Sequence, residues 1–144
     1  MLPKPEVFRR AKRWLALADE DLRLARHGLT LPEAPPYRLI AYHAQQCVEK
    51  HLKAYLTFRG VDFPYTHNIA HFLELCSTQR AWPEELSAAE ELSPFAVSAR
   101  YPGDEEDVTG EEALRAIEVS VRVRQAVREA LENEGLTLED AGKG

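Results

Sequence analysis

The sequence predicts an all-α protein, an antiparallel bundle of about four long helices with short helices between them. Three observations lead there. Apolar residues recur at three- and four-residue steps through each long stretch. Proline and glycine punctuate those stretches where helices should start and stop. Alternating apolar and polar stretches bounded by turn residues do not recur along the chain, so no strand is expected. The 144 residues suit one domain able to bury a core without disulfides or metal. That domain is read over residues 1–134, with a loose tail over 135–144.

The first helix is expected from Pro5, with Ala11, Trp14, Leu15, Ala18, Leu22 and Ala25 on its inner face and Gly28 as terminator. The segment LTLPEAPP then excludes helix, because Pro32, Pro35 and Pro36 lack donors and bias their predecessors toward extended shapes. The second helix should run from Tyr37 to Arg59 and end at Gly60. Its apolar residues, among them Ile40, Ala44, Val48, Leu52 and Tyr55, cover half the helical wheel or more, which marks it as the central helix. Gln45 and His51 fall inside that arc and require hydrogen-bond partners if buried. Asn68 is placed to cap a short helix carrying Ile69, Phe72, Leu73 and Cys76. Pro83 suits a first helical position ahead of Leu86, Ala89 and Leu92, and Ser93-Pro94 reads as a break. Thr109 and Glu112 have capping-box spacing and open a last helix to about Asn133, stopped by Gly135. On its exposed face Glu111–Arg115 and Glu118–Arg122 have ion-pair spacing.

Composition excludes several function classes. A net charge of −6, from 24 acidic and 18 basic residues, opposes broad attraction to a nucleic-acid backbone, although a local basic patch is compatible with it. Cys47 and Cys76 sit in apolar helical patterns, which reads as small core residues in a reduced, cytoplasmic setting. The segment MLPKPEVFRRAKRW has no long apolar run and is read as carrying no secretion signal. No stretch approaches the roughly 18 apolar residues of a membrane span. Glycine-rich phosphate loops, a GxSxG elbow and CxxC pairs are absent from the sequence.

Three groupings could carry chemistry. His43, Gln46, Glu49, Lys50 and Lys53 form one polar stripe on the second helix, and Gln46, Lys50 and Lys53 on one face could hold a phosphate or carboxylate. The alternative is a solvated face with ordinary Glu49–Lys53 pairing. His67 and His71 stand four apart, as metal ligands on a helix can, but no third ligand lies nearby and no metal or other cofactor is expected. Arg100-Tyr101-Pro102 could grip a phosphate or stack on a base, or Arg100 could pair with the acids of 104–107.

The run AYHAQQCVEKHLKAYLTFRGVDFPYTHNIAHFLELC resembles the core of the HEPN domain family. The family landmarks are met by Gln45-Gln46, Glu49-Lys50, Lys53-Ala54, Gly60 and Thr66-His67, and later by Ala99-Arg100-Tyr101-Pro102. The resemblance extends over about residues 5–132 and implies a helical bundle, often a homodimer, with a nucleotide- or RNA-related role. It implies a small nucleotidyltransferase as partner in a toxin–antitoxin-like pair, and ligand contacts at Gln46, Glu49, Lys50, Lys53, His67, Arg100 and Tyr101. Toxic members are metal-independent RNases marked by an Arg followed after four to six residues by a His. After Arg100 those places hold Glu105, Glu106 and Asp107, acids that would repel an RNA phosphate. Arg38 and His43 do have the spacing, at the start of the central helix, and are the candidate catalytic pair. An association module with nucleotide contact, an RNase toxin, and a structural dimeric adaptor using Leu114 and Val121 are the three competing functions.

Overall fold

The computed structural model describes residues 4–96 and 107–138. Among them stand five helical elements and no strand: α1 (Pro5–Gly28), α2 (Tyr37–Arg59), α3 (Ile69–Ser77), a 3₁₀ helix (Glu84–Ala96) and α4 (Gly110–Asn133). The helix α2 packs against each of the other four, as the breadth of its apolar arc predicts. Tyr55, Leu52, Leu56 and Val48 of α2 are fully buried with Leu15 of α1, Phe72 of α3, Leu92 of the 3₁₀ helix and Leu131 of α4. Each large apolar side chain so enclosed contributes about 1.5–3 kcal/mol of transfer free energy. No helix among the described residues is long and apolar enough to cross a membrane.

Several helix ends follow the local chemistry. Gly60 takes φ 71° and closes α2 with its N–H on the carbonyls of Leu56 and Thr57. The capping box at Thr109 and Glu112 forms in both directions. Gly135 takes φ 108°, which lets the Leu136 N–H return to the Leu131 carbonyl at 2.9 Å.

Other expectations are corrected. Gly28 does not end α1 in a left-handed turn; it is the last helical residue, and Leu29 follows in the right-handed region. Its small size serves packing instead, since a Cβ there would lie 2.7 Å from Ile40 Cγ1 of α2. Ala34, ahead of Pro35, is not extended: Glu33 and Ala34 have φ of 55° and 32°, within the connection that turns the chain back from α1 to α2. Asn68 sits at the cap position of α3 without a side-chain cap bond, and its own N–H donates to Thr66 Oγ1. Ser93-Pro94 does not break the fourth element, which is a 3₁₀ helix through Ala96. Three residues per turn put Leu86, Ala89 and Leu92 in one column facing the core. Arg115 passes over Glu111 and bonds Glu91 of the 3₁₀ helix at 3.0 and 3.2 Å, and Glu118 lies 3.7 Å from Arg115 rather than pairing with Arg122. The stretch read as tail begins packed, with Leu136 and Leu138 buried.

Candidate functional site

The polar stripe of α2 is built by helical spacing and then covered by residues far away in sequence. From α1, Asp21 reaches it with a buried carboxylate. Asp21 Oδ2 accepts from Lys50 Nζ at 2.6 Å, and Oδ1 lies 2.8 Å from His43 Nδ1. One turn further along, Glu49 is only 1% exposed. It accepts from Lys53 Nζ at 3.2 Å, from Gln45 Nε2 at 3.3 Å and from His67 Nδ1 at 2.8 Å. Gln46 donates to Gln45 Oε1 at 2.8 Å and completes the chain of polar contacts. Gln45, predicted to need partners inside the apolar arc, therefore has them on both sides.

The lysines differ in what they can offer. The Lys53 ammonium lies 5.1, 5.8 and 5.5 Å from the ring centres of Trp14, Phe63 and Phe72, within cation–π range of three aromatic faces. Lys53 is thus committed to the interior together with Glu49. Lys50 keeps 23% of its side chain exposed and His67 keeps 58%. Asp21 and Glu49 match Lys50 and Lys53 in formal charge. What the stripe presents outward is the Lys50 edge, a smaller part of Lys53 and two imidazoles, His43 and His67, each held at Nδ1 by a buried carboxylate. A ring fixed in this way leaves Nε2 available to accept or donate a proton, or to hydrogen-bond a phosphate or a base edge.

The remaining candidates are not all brought together. Arg38 is exposed at the start of α2. Five residues of α-helix separate it from His43 by about 140° around the axis, so the pair does not converge within one chain. Arg100 and Tyr101 lie outside the described residues. His67 precedes α3 rather than riding on it, and His71 lies 3.8 Å from Glu74. Among the described residues no group of three or more metal-ligating side chains occurs. The sequence reading missed Asp21 and the aromatic cover. Asp21 was detectable: it stands three residues after Ala18 and four before Ala25, on the inner face of α1. Trp14 was assigned to the core, but its role above Lys53 needs the tertiary fold.

Two further polar knots lock the bundle. Glu134 accepts from Tyr55 Oη at 2.9 Å, from Arg80 at 3.0 Å and from Arg59. Partial burial works against its charge, but those three donors outweigh it and hold the carboxyl below its ordinary range. Asp19 accepts from Arg124 at 2.8 Å and Arg128 at 3.4 Å, tying α1 to α4. Beside it lies His51, fully buried. Its Nδ1 lies 2.9 Å from the Cys47 carbonyl, while Nε2 has no hydrogen-bond partner and stands 3.8 Å from Asp19. Burial lowers the His51 pKa to about 4 and pushes the Cys47 thiol far up. A neutral, enclosed thiol beside so weak a base is no nucleophile, so Cys47 and His51 are core residues.

Comparison with known proteins agrees with this architecture. The HEPN domain model matches residues 11–130. A relative from Methanocaldococcus jannaschii, named Putative toxin MJ1304, is 27% identical over 139 residues, covering 84% of this chain and 88% of its own. The crystal structure of TT1696 from Thermus thermophilus superposes with a TM-score of 0.72 at 29% identity, over 83% of this chain and 97% of that one. ST0689, an archaeal HEPN homologue, superposes with a TM-score of 0.68 at 26% identity, over 84% and 97%. With the family match running through all the long helices and the polar stripe of α2, this chain belongs to the HEPN domain family.

Proposed function

We propose that the chain is the HEPN component of a toxin–antitoxin-like pair. It acts as a homodimeric association module that contacts a nucleotide and pairs with a small nucleotidyltransferase. Family membership and the name of the Methanocaldococcus jannaschii relative support the class. The observation that carries the nucleotide contact is the α2 stripe, where His43 and His67 are each oriented by a buried carboxylate and Lys50 shares the His43 carboxylate, Asp21. Gln46 and Glu49 shape this surface from within, and Lys53 holds Glu49 in place. Arg100 and Tyr101 complete the ligand set in this reading. Of the two residues expected at a dimer seam, Leu114 is 52% exposed on α4, while Val121 is partly buried against the core. Two free, buried cysteines suit a reducing, cytoplasmic compartment.

Calorimetric titration with ATP tests the nucleotide contact. Binding that weakens at least tenfold in Lys50→Met and His67→Ala is expected. No heat and no thermal shift at millimolar nucleotide overturns it. Co-expression with a small nucleotidyltransferase of the same organism tests the pairing, with a stable complex on gel filtration expected. Light scattering tests the homodimer.

The 2.8 Å Asp21–His43 contact favours a second reading, a metal-independent RNase in which His43 exchanges the proton. Cleavage of structured RNA in EDTA that is lost in His43→Ala and Arg38→Ala is its expected result. Intact RNA sinks it.

A further inference from the structure

Away from the α2 stripe, a groove of about 530 Å³ runs between α3 and the 3₁₀ helix. Its floor is apolar, formed by Leu73, Trp82 and Leu86. The Trp82 indole is fixed there: its N–H donates to the Cys76 carbonyl at 3.0 Å, and its ring packs edge-on to Tyr55 at 4.7 Å. The rim is acidic. Glu74 stands on the α3 side, and Glu84 and Glu90 stand on the 3₁₀ side. All three are exposed, and neither Glu84 nor Glu90 has an ion-pair partner among the described residues. Arg80, the one cation of the lining, shares Glu134 with Arg59 and lies 5.3 Å from the Trp82 ring centre, so the lining keeps three carboxylates against one guanidinium and stays net acidic.

The 3₁₀ geometry orders that rim. Three residues per turn place Glu84, Ser87 and Glu90 in one column, with about 6 Å of rise per turn and about 12 Å from the first to the last. On an α-helix, residues i and i+7 share one edge and span about 10.5 Å. We propose that this groove docks an amphipathic α-helix of a partner protein, with its apolar ridge on Leu73, Trp82 and Leu86. Two basic side chains at i and i+7 then meet Glu84 and Glu90. Charge complementarity sets the sign of the occupant, and the two-turn column sets its spacing. A second copy of this chain fits less well: the basic residues near the start of its α1 ride on a helix whose apolar face is already spent on the core. The inference deepens the two-component reading by naming a surface for the second component, and it rests on that reading only for the identity of the partner.

The test uses the full chain and a synthetic Leu/Ala/Lys helix of about 18 residues, long enough to hold helical structure on a surface. Its lysines sit at i and i+7 beside a leucine ridge. An isomer of the same composition carries the lysines on the opposite face. Emission of Trp82, isolated in a Trp14→Phe background, reports docking. Expected are saturable binding of the first peptide, at least tenfold weaker binding of the isomer, and at least tenfold weaker binding to Glu84→Lys/Glu90→Lys, with Glu20→Lys, exposed on α1 away from the groove, unchanged. Both charge variants alter exposed residues, and an unchanged melting temperature verifies their fold. Equal affinity for the two peptides, or indifference to the charge reversal, overturns the proposal. So does a concentration-dependent dimer that Leu73→Asp dissociates, since a second copy then fills the groove. Peptide docking without any nucleotidyltransferase complex would refute the pairing reading while leaving the groove assignment intact.

Discussion

His51 shows how a single side chain can set the response of the whole fold to acid. The imidazole is enclosed by α2, by Asp19 of α1 and by Arg124 and Arg128 of α4. Burial disfavours its charged form, Asp19 favours it, and the two arginines oppose it again. The folded-state value, about 4, lies below the ordinary 6.5. Between those values the unfolded chain binds a proton that the folded chain refuses. Stability therefore rises with pH through that window and is lost as pH falls from 6.5 toward 4. Over such a shift the effect is on the order of 3 kcal/mol. Urea unfolding of the wild type and His51→Leu at neutral pH and near pH 4.5 measures it. The variant is expected to lose this part of the acid sensitivity while keeping the part that carboxylates supply. An unchanged slope would mean that His51 is protonated inside the fold. Its position in the apolar arc was legible from helical spacing. The lone nitrogen was not, because Asp19 and Arg124 come from elements distant in sequence.

Each helix junction has its own chemical lock, and two of them make quantitative predictions. At the α1–α2 hairpin, Gly28 lets Ile40 approach so closely that an added methyl must displace it. Gly28→Ala gains up to about 1 kcal/mol of helix propensity and meets about 1–3 kcal/mol of overpacking, for a net loss. Pairing it with Ile40→Ala in a double-mutant cycle should give a cost smaller than the sum of the singles by about 0.5 kcal/mol or more. Strict additivity would rule out the contact. A glycine before a proline-rich connection signals either a left-handed cap or a close approach, and the sequence cannot choose between them without knowing where Ile40 lies. At the far end of the bundle, Glu134 joins the ends of α2 and α4 to the segment before the 3₁₀ helix, through Arg59, Tyr55 and Arg80. Glu134→Gln is expected to cost about 2–3 kcal/mol in urea unfolding, in line with loss of charge-assisted bonds. Because its pKa is depressed, this contribution is present at neutral pH and is lost as pH falls through the folded value. The difference between wild type and variant should shrink under acid. A constant difference would assign the loss to packing. The 3₁₀ helix was legible in hindsight: Leu86, Ala89 and Leu92 stand at strict three-residue steps, with no four-residue step between them.

The molecule as a whole is organised around α2, which explains why the fold was readable and the site only partly so. Four-sided packing needs a wide apolar arc, and that arc is written within one segment. Whether a polar stripe on such a helix is bare or covered depends on Trp14, Phe63, Phe72 and Asp21, which approach it from three other segments. The stripe was expected to be the uncovered part of α2. Instead Glu49 and Gln46 are buried, and the edges at His43, Lys50 and His67, with a smaller part of Lys53, reach solvent. The same dependence on α2 has a thermodynamic consequence. Loss of one helix uncovers a face of α2, and Asp19 with Arg124 and Arg128 couples α1 to α4 directly. The buried apolar residues of all five helical elements form one cluster, so unfolding should be one cooperative transition. Far-UV circular dichroism follows all the helices, while the two tryptophans report separate regions. Trp14 packs on α1 beside Phe63, and Trp82 packs beside Tyr55. Single-tryptophan variants should give urea midpoints that coincide with the dichroism midpoint measured on the same protein. Asp19→Asn should move both probes together, by about 1–3 kcal/mol for loss of charge-assisted bonds. If the Trp82 midpoint separated from the Trp14 midpoint, α3 and the 3₁₀ helix would form an independent unit, and the central role of α2 would be refuted.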